Sequence, residues 1–177
     1  MSTPTLAASS PALPIARAAL RTLVVLNWLM FAAIVALLVA MPNEQWIMRA
    51  FDLSPGPEAE RLVMALRAAA VLGLAVFVLN YFILKRLLAI VDTVRTGDPF
   101  VAVNAIRLKA IAWALVALEL LSIIIGAIGD AVSTPAHPVD LDAGFSVNGW
   151  LAVLLTFLLA RVFAEGTRMR DDLEGTV

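Results

Sequence analysis

The chain has 177 residues, of which 62% are hydrophobic and 15% charged, and a formal net charge of -1. Soluble domains use roughly 45 to 50% apolar residues, and runs as apolar as these would find no soluble interior large enough to hide them, so lipid is the natural solvent. The balanced charge excludes a basic excess directed at nucleic acid, and the lack of cysteine excludes disulfides, thiol nucleophiles and zinc-thiolate centres.

Residues 1–16, rich in Ser, Thr, Ala and Pro, predict a disordered tail. Arg17 and Arg21 then lead into an uncharged run, and a first membrane span is expected over residues 22–43, about 33 Å of helix at ~1.5 Å per residue. A secretory signal has a similar layout, but its apolar run is only about 7 to 15 residues long, and three more apolar spans follow here. Residues 44–61 form a polar connection with the turn sequence Ser54-Pro55-Gly56-Pro57. The second span, residues 62–84, is interrupted only by Arg67, and its apolar pattern continues from Leu87 to Val94 past the expected membrane edge.

Gly97 suits a helix C-terminus. Asp98-Pro99 predicts an N-cap followed by a first-turn proline, which would start the next helix almost without a loop. The third span is expected over residues 110–128, with Glu119 near its middle. The fourth is expected over residues 148–164, continuing through Arg161; its uncharged stretch, Ala143 to Ala160, is 18 residues long, near the lower limit for crossing ~30 Å.

Orientation follows from the cations. The N-terminal flank, the connection over residues 85–109 and the C-terminal end together hold ten Lys and Arg, whereas the opposite loops hold only Arg49 and Arg61. The positive-inside bias therefore predicts both termini in the cytoplasm. Trp46 and Trp150 fit the outer interface and Tyr81 and Trp113 the inner one, while Trp28 lies deeper and fits neither. The resulting expectation is an all-α, four-helix transmembrane bundle in which residues 17–177 form a single membrane domain.

Arg67 and Glu119 are the ionisable side chains most clearly within the spans, where each costs roughly 2.5 to 3.5 kcal/mol at the centre on insertion scales. One reading is a buried Arg67–Glu119 pair between the second and third helices, serving a small transporter or a ligand sensor. The plainer and favoured readings are a pair that only holds the helices together, or an Arg67 that snorkels to the outer headgroups. Asn27 and Asn80 are expected to supply interhelical hydrogen bonds. The cations of the 85–109 connection suit anionic lipid headgroups or an acidic partner, although the positive-inside bias alone accounts for them. Asp130, His137, Asp140 and Asp142 are too scattered to predict a metal site. No catalytic or phosphate-binding motif occurs, so neither enzymatic activity nor a cofactor is expected.

Gly97-Asp98-Pro99-Phe100, the following Asn104-Ala105-Ile106-Arg107-Leu108-Lys109 and the segment Val162-Phe163-Ala164-Glu165-Gly166, with an acidic end finishing in Thr176-Val177, resemble the bacterial membrane family known as domain of unknown function 2975. The shared pattern is a Gly-x-Pro-Phe turn, an Asn-x-x-Arg-Leu start to the third helix, and a Phe-x-x-Gly segment. Val101-Ala102-Val103 departs from it by being more apolar. The resemblance implies four membrane helices in the bacterial cytoplasmic (inner) membrane, no established activity, and frequent genomic pairing with a small helix-turn-helix regulator of the Cro type. Gly97, Pro99, Phe100, Asn104, Arg107, Phe163, Gly166 and Thr176 are the candidate face for such a regulator. The further partners expected are the lipid bilayer and a second copy of the chain, with no direct contact to nucleic acid.

Overall fold

This computed structural model describes residues 12–40, 56–133 and 143–174. Among the described residues four helices follow in chain order: α1 (Ala12–Ala40), α2 (Pro57–Arg95), α3 (Ala102–Val132) and α4 (Val147–Glu174). No strand occurs among the described residues. All four helices are long and apolar enough to cross a membrane, and the chain is a multi-pass, all-α membrane protein. The expectations for residues 1–11, Trp46, Arg49, the Ser54-Pro55 turn, His137, Asp140, Asp142 and Thr176 lie outside the described residues.

Extensive packing is serial, α1 on α2, α2 on α3 and α3 on α4. The outer surface is what lipid selects: Leu154 and Leu158 of α4 are 65% and 59% exposed, an arrangement that water would penalise and hydrocarbon does not. α1 is the most peripheral helix, with no buried residue. It meets α2 where Ile34 and Leu38 pack on Val63 and Ala70, and Gly73 allows the approach, since a Cβ there would stand 3.3 Å from Ile34 Cδ1. Trp28 and Phe31 interlock with Phe77 and Tyr81 at ring-centroid distances of 4.4 to 5.8 Å. This helix-helix aromatic contact accounts for the tryptophan that interface preference leaves unexplained.

Two boundaries differ from the sequence-based expectation. Helix α1 already includes residues 12–16, so the predicted tail is shorter at its C-terminal side. Helix α3 starts at Ala102, after an extended Val101 with φ -104° and no side-chain cap, rather than at Pro99. Asp98 is engaged elsewhere, as described below. Of the apolar stretch from Leu87 to Val94, Leu87 and Ile90 pack against Ile83, Ile111 and Ala114 at the α2–α3 contact.

The register of α4 on α3 shapes the rest. Reading along the antiparallel pair, Gly149 meets Glu119, Phe157 meets Trp113, Phe163 and Gly166 meet Phe100, and Arg170 reaches Asp98. Helix α4 therefore begins opposite the middle of α3. Glu119 lies thirteen positions before Val132, the last residue of α3, about 20 Å at ~1.5 Å per residue. The non-helical residues 143–146 precede α4 and run back along α3, with Ala143 at Gly126 and Gly144 at Ser122.

Candidate functional site

Two regions gather polar and signature residues. The first is the basic end of the molecule, where α2 turns into α3. Helix α2 closes at Thr96, and Gly97 takes φ 88°, a left-handed conformation that glycine adopts without the Cβ penalty. Asn104, in the first turn of α3, is fully buried. Its Nδ2 donates to the Thr93 hydroxyl at 2.7 Å and to the Pro99 carbonyl at 2.9 Å. Its Oδ1 accepts from Arg107 at 2.9 Å, and the same guanidinium nitrogen donates to the Ala89 carbonyl at 3.2 Å. The Thr93 hydroxyl in turn donates a hydrogen bond to the Ile90 carbonyl at 2.7 Å. A buried carboxamide with these partners is fully employed, and it pins the turn to the end of α2.

α4 closes over this turn. The Phe100 ring lies 5.3 Å from that of Phe163 and rests on Gly166, where a Cβ would stand 2.8 Å from Phe100 Cδ1. Asp98 forms an ion pair with Arg170, and Arg17 reaches Asp92 at 3.3 Å, bringing in the start of α1. Of the residues expected to form one face, Gly97, Pro99, Phe100, Asn104, Arg107, Phe163 and Gly166 are thus brought to one end, with Asn104 and Arg107 turned inward to hold the turn. Thr93 and the Asp98–Arg170 pair belong to the same assembly. The sequence offers no local signal for that pair, because its members are 72 positions apart.

The second region is a cavity of about 590 Å³ between α1, α2 and α3, closed on one side by Ala143. Asn27, Asn80, Glu119 and Ser122 supply its polar lining, and Ile34, Phe77 and Leu118 are among its apolar walls. Asn27 donates to the Phe77 carbonyl at 3.2 Å, a bond between α1 and α2 of the kind expected. The non-helical segment 143–146 is held here: the Ser122 hydroxyl accepts from the Gly144 N–H and donates to the Gly144 carbonyl, both at 3.1 Å. One side chain thereby satisfies both backbone groups of a residue outside any helix, which is what hydrocarbon depth requires. Gly126 makes room, because a Cβ there would fall 2.6 Å from the Ala143 carbonyl oxygen. Ser146 then accepts the Gly149 N–H at 3.0 Å and caps α4.

The structure does not bring Arg67 and Glu119 together. Glu119 shares its cavity with Phe77 and Asn80, and Arg67 lies ten positions before Phe77 on α2, about 15 Å along the axis at ~1.5 Å per residue. Arg67 is on an exposed side of α2. Glu119 instead faces α4: a Cβ on Gly149 would collide with its Oε1, and its Oε2 is buried without a hydrogen-bond partner. The first turn of α4 presents the positive end of a helix dipole to this carboxyl. Trp150, expected at the outer interface, follows Gly149 and so stands at the level of mid-helix Glu119, with its indole nitrogen also buried and unpartnered. No cluster of three or more His, Asp or Glu suited to a metal ion occurs among the described residues.

The family model described as protein of unknown function (DUF2975) matches residues 54–177. No curated protein and no solved structure matches the chain.

Proposed function

The chain belongs to the family described as protein of unknown function (DUF2975), and from that premise we propose that it is a non-enzymatic membrane protein whose basic end docks a small helix-turn-helix transcription regulator and holds it at the membrane. The observation that carries this reading is the way distant signature segments meet. Phe100 of the α2–α3 turn packs on Phe163 and Gly166 of α4, so the motifs that mark the chain meet at one end of the molecule. Beyond that contact α4 continues past Arg168, with Met169 and Leu173 exposed at 58% and 71%. Apolar side chains beyond the flanking cations suit recognition by a groove on a protein partner. The ten-to-two distribution of Lys and Arg supports placing this end, with both termini, in the cytoplasm of a bacterial inner membrane.

Co-purification in detergent of the full chain with a Cro-type regulator encoded beside its gene tests the proposal. The wild-type chain retains the regulator. Changing Met169→Asp together with Leu173→Asp releases it while helicity, read by circular dichroism, is unchanged. Retention by neither chain, or equally by both, overturns the reading. A transporter or sensor built on an Arg67–Glu119 pair has less support, because Glu119 is seated against α4 and away from Arg67.

A further inference from the structure

Most cations of the basic end are engaged within the chain. Arg17 and Arg95 reach Asp92, Arg168 reaches Glu165 and Arg170 reaches Asp98. Arg107 serves Asn104 and the Ala89 carbonyl, while Lys85 and Arg86 lie over the rings of Tyr81 and Phe82. Lys109 of α3 and Arg161 of α4 make no such contact among the described residues. Both are exposed, and both line the same groove between their helices. Helix α3 carries no acidic residue before Glu119, and Glu165, one turn beyond Arg161, is the partner of Arg168. The positive-inside bias accounts for cations at this end. It does not account for two that share one groove without a counter-charge.

Helix register brings the two cations level. Trp113 meets Phe157 edge-on, with ring centroids 5.4 Å apart. Lys109 lies four positions before Trp113 and Arg161 four positions after Phe157. Because α3 and α4 are antiparallel, each step is about one turn, ~6 Å, toward the basic end on the same helix face. The groove has a volume of about 360 Å³, and its lining apart from the two cations is apolar. Ala105, Ala160 and Ala164 line it from both helices, and their short side chains leave the space open. Trp113 is 60% exposed and marks the headgroup level, where tryptophan concentrates. The cations therefore stand at the depth of lipid phosphates, and the apolar lining leads from them toward the acyl chains. An acidic protein segment would have to lay polar backbone into this apolar groove at the edge of the bilayer. A lipid brings the anion and the hydrocarbon together. We propose that the α3–α4 groove binds an anionic glycerophospholipid, with its phosphate between Lys109 and Arg161 and the start of an acyl chain along Ala160 and Phe157.

Native mass spectrometry of the full chain in a neutral detergent tests this, by titration with phosphatidylglycerol or with phosphatidylcholine of the same acyl chains. The wild-type chain is expected to retain phosphatidylglycerol at concentrations where phosphatidylcholine gives little adduct. Lys109→Gln together with Arg161→Gln lowers the phosphatidylglycerol affinity by about tenfold or more, whereas Lys109→Arg together with Arg161→Lys keeps most of it. Arg95→Gln together with Arg168→Gln removes the same charge outside the groove and leaves binding close to wild type. Ala164→Trp fills the groove with both cations in place and also weakens binding, which keeps the proposal falsifiable should the double glutamine variant not fold. Equal affinity of the wild-type chain for the two lipids, undiminished binding by either groove-directed variant, or an equal loss in the Arg95 and Arg168 variant overturns it.

Discussion

Asn104 of α3 donates a 2.7 Å hydrogen bond to the Thr93 hydroxyl of α2, and through this contact the two central helices hold the turn between them. The carboxamide has no exposure to solvent, so any partner that loses it is left buried and unpaired. Asn104→Ala is expected to destabilise the protein by about 2 to 3 kcal/mol, and Thr93→Val by about 1 to 2 kcal/mol. Unfolding of the purified chain in mixed detergent checks both. A loss below about 0.5 kcal/mol for Asn104→Ala would mean that the network does not fix the turn.

Gly126 and Gly166 both sit where a methyl group has no room, but their neighbours differ in kind. At Gly126 the obstacle is the backbone of Ala143 and Gly144, and at Gly166 it is the ring of Phe100, which is 41% exposed and can swing outward. Gly126→Ala is therefore expected to cost about 2 to 3 kcal/mol and Gly166→Ala about 1 kcal/mol or less. The order of the two midpoints in thermal unfolding is the test, and the reverse order would place the 143–146 segment away from α3.

Because Glu119 faces Gly149 rather than Arg67, the two ionisable residues act independently. In a double-mutant cycle of Arg67→Leu and Glu119→Leu the stability effects should add within about 0.5 kcal/mol. A coupling energy of 1 kcal/mol or more would restore a direct pair.

The Asp98–Arg170 pair is partly solvated, with side-chain exposures of 38% and 45%. Arg170→Ala should accordingly change stability by no more than about 1 kcal/mol, and the change should shrink as salt is raised. Unfolding midpoints at low and high ionic strength read this directly.

Much of this architecture is legible in the order of residues. Four long apolar runs report four crossings because the bilayer sets a length that few other structures demand. Asn104 and Arg107 stand out in the sequence only through the family resemblance, and there as part of an outward face, whereas Asn104 is buried and Arg107 bonds to it. The fourth crossing is legible only in outline. The uncharged run from Ala143 to Ala160 reads as one short span, whereas its first four residues are non-helical and supported by Ser122 and Gly126 on another helix. That support is a property of helix register, which apolar periodicity leaves open. The same register decides that Glu119 meets Gly149 and that Asp98 meets Arg170. Counting residues inward from predicted span ends put Arg67 within reach of Glu119. The α2–α3 contact of Ile83 with Ile111 and Ala114 sets a different alignment.

The central claim is that the α2–α3 turn and the connection between α3 and α4 lie on opposite sides of a bilayer. The natural chain has no cysteine, so single substitutions Thr96→Cys and Asp140→Cys can be labelled in sealed right-side-out vesicles with a membrane-impermeant maleimide. Labelling at position 140 in intact vesicles, and at position 96 only after permeabilisation, is the expected result. Equal labelling of both positions in intact vesicles would contradict it.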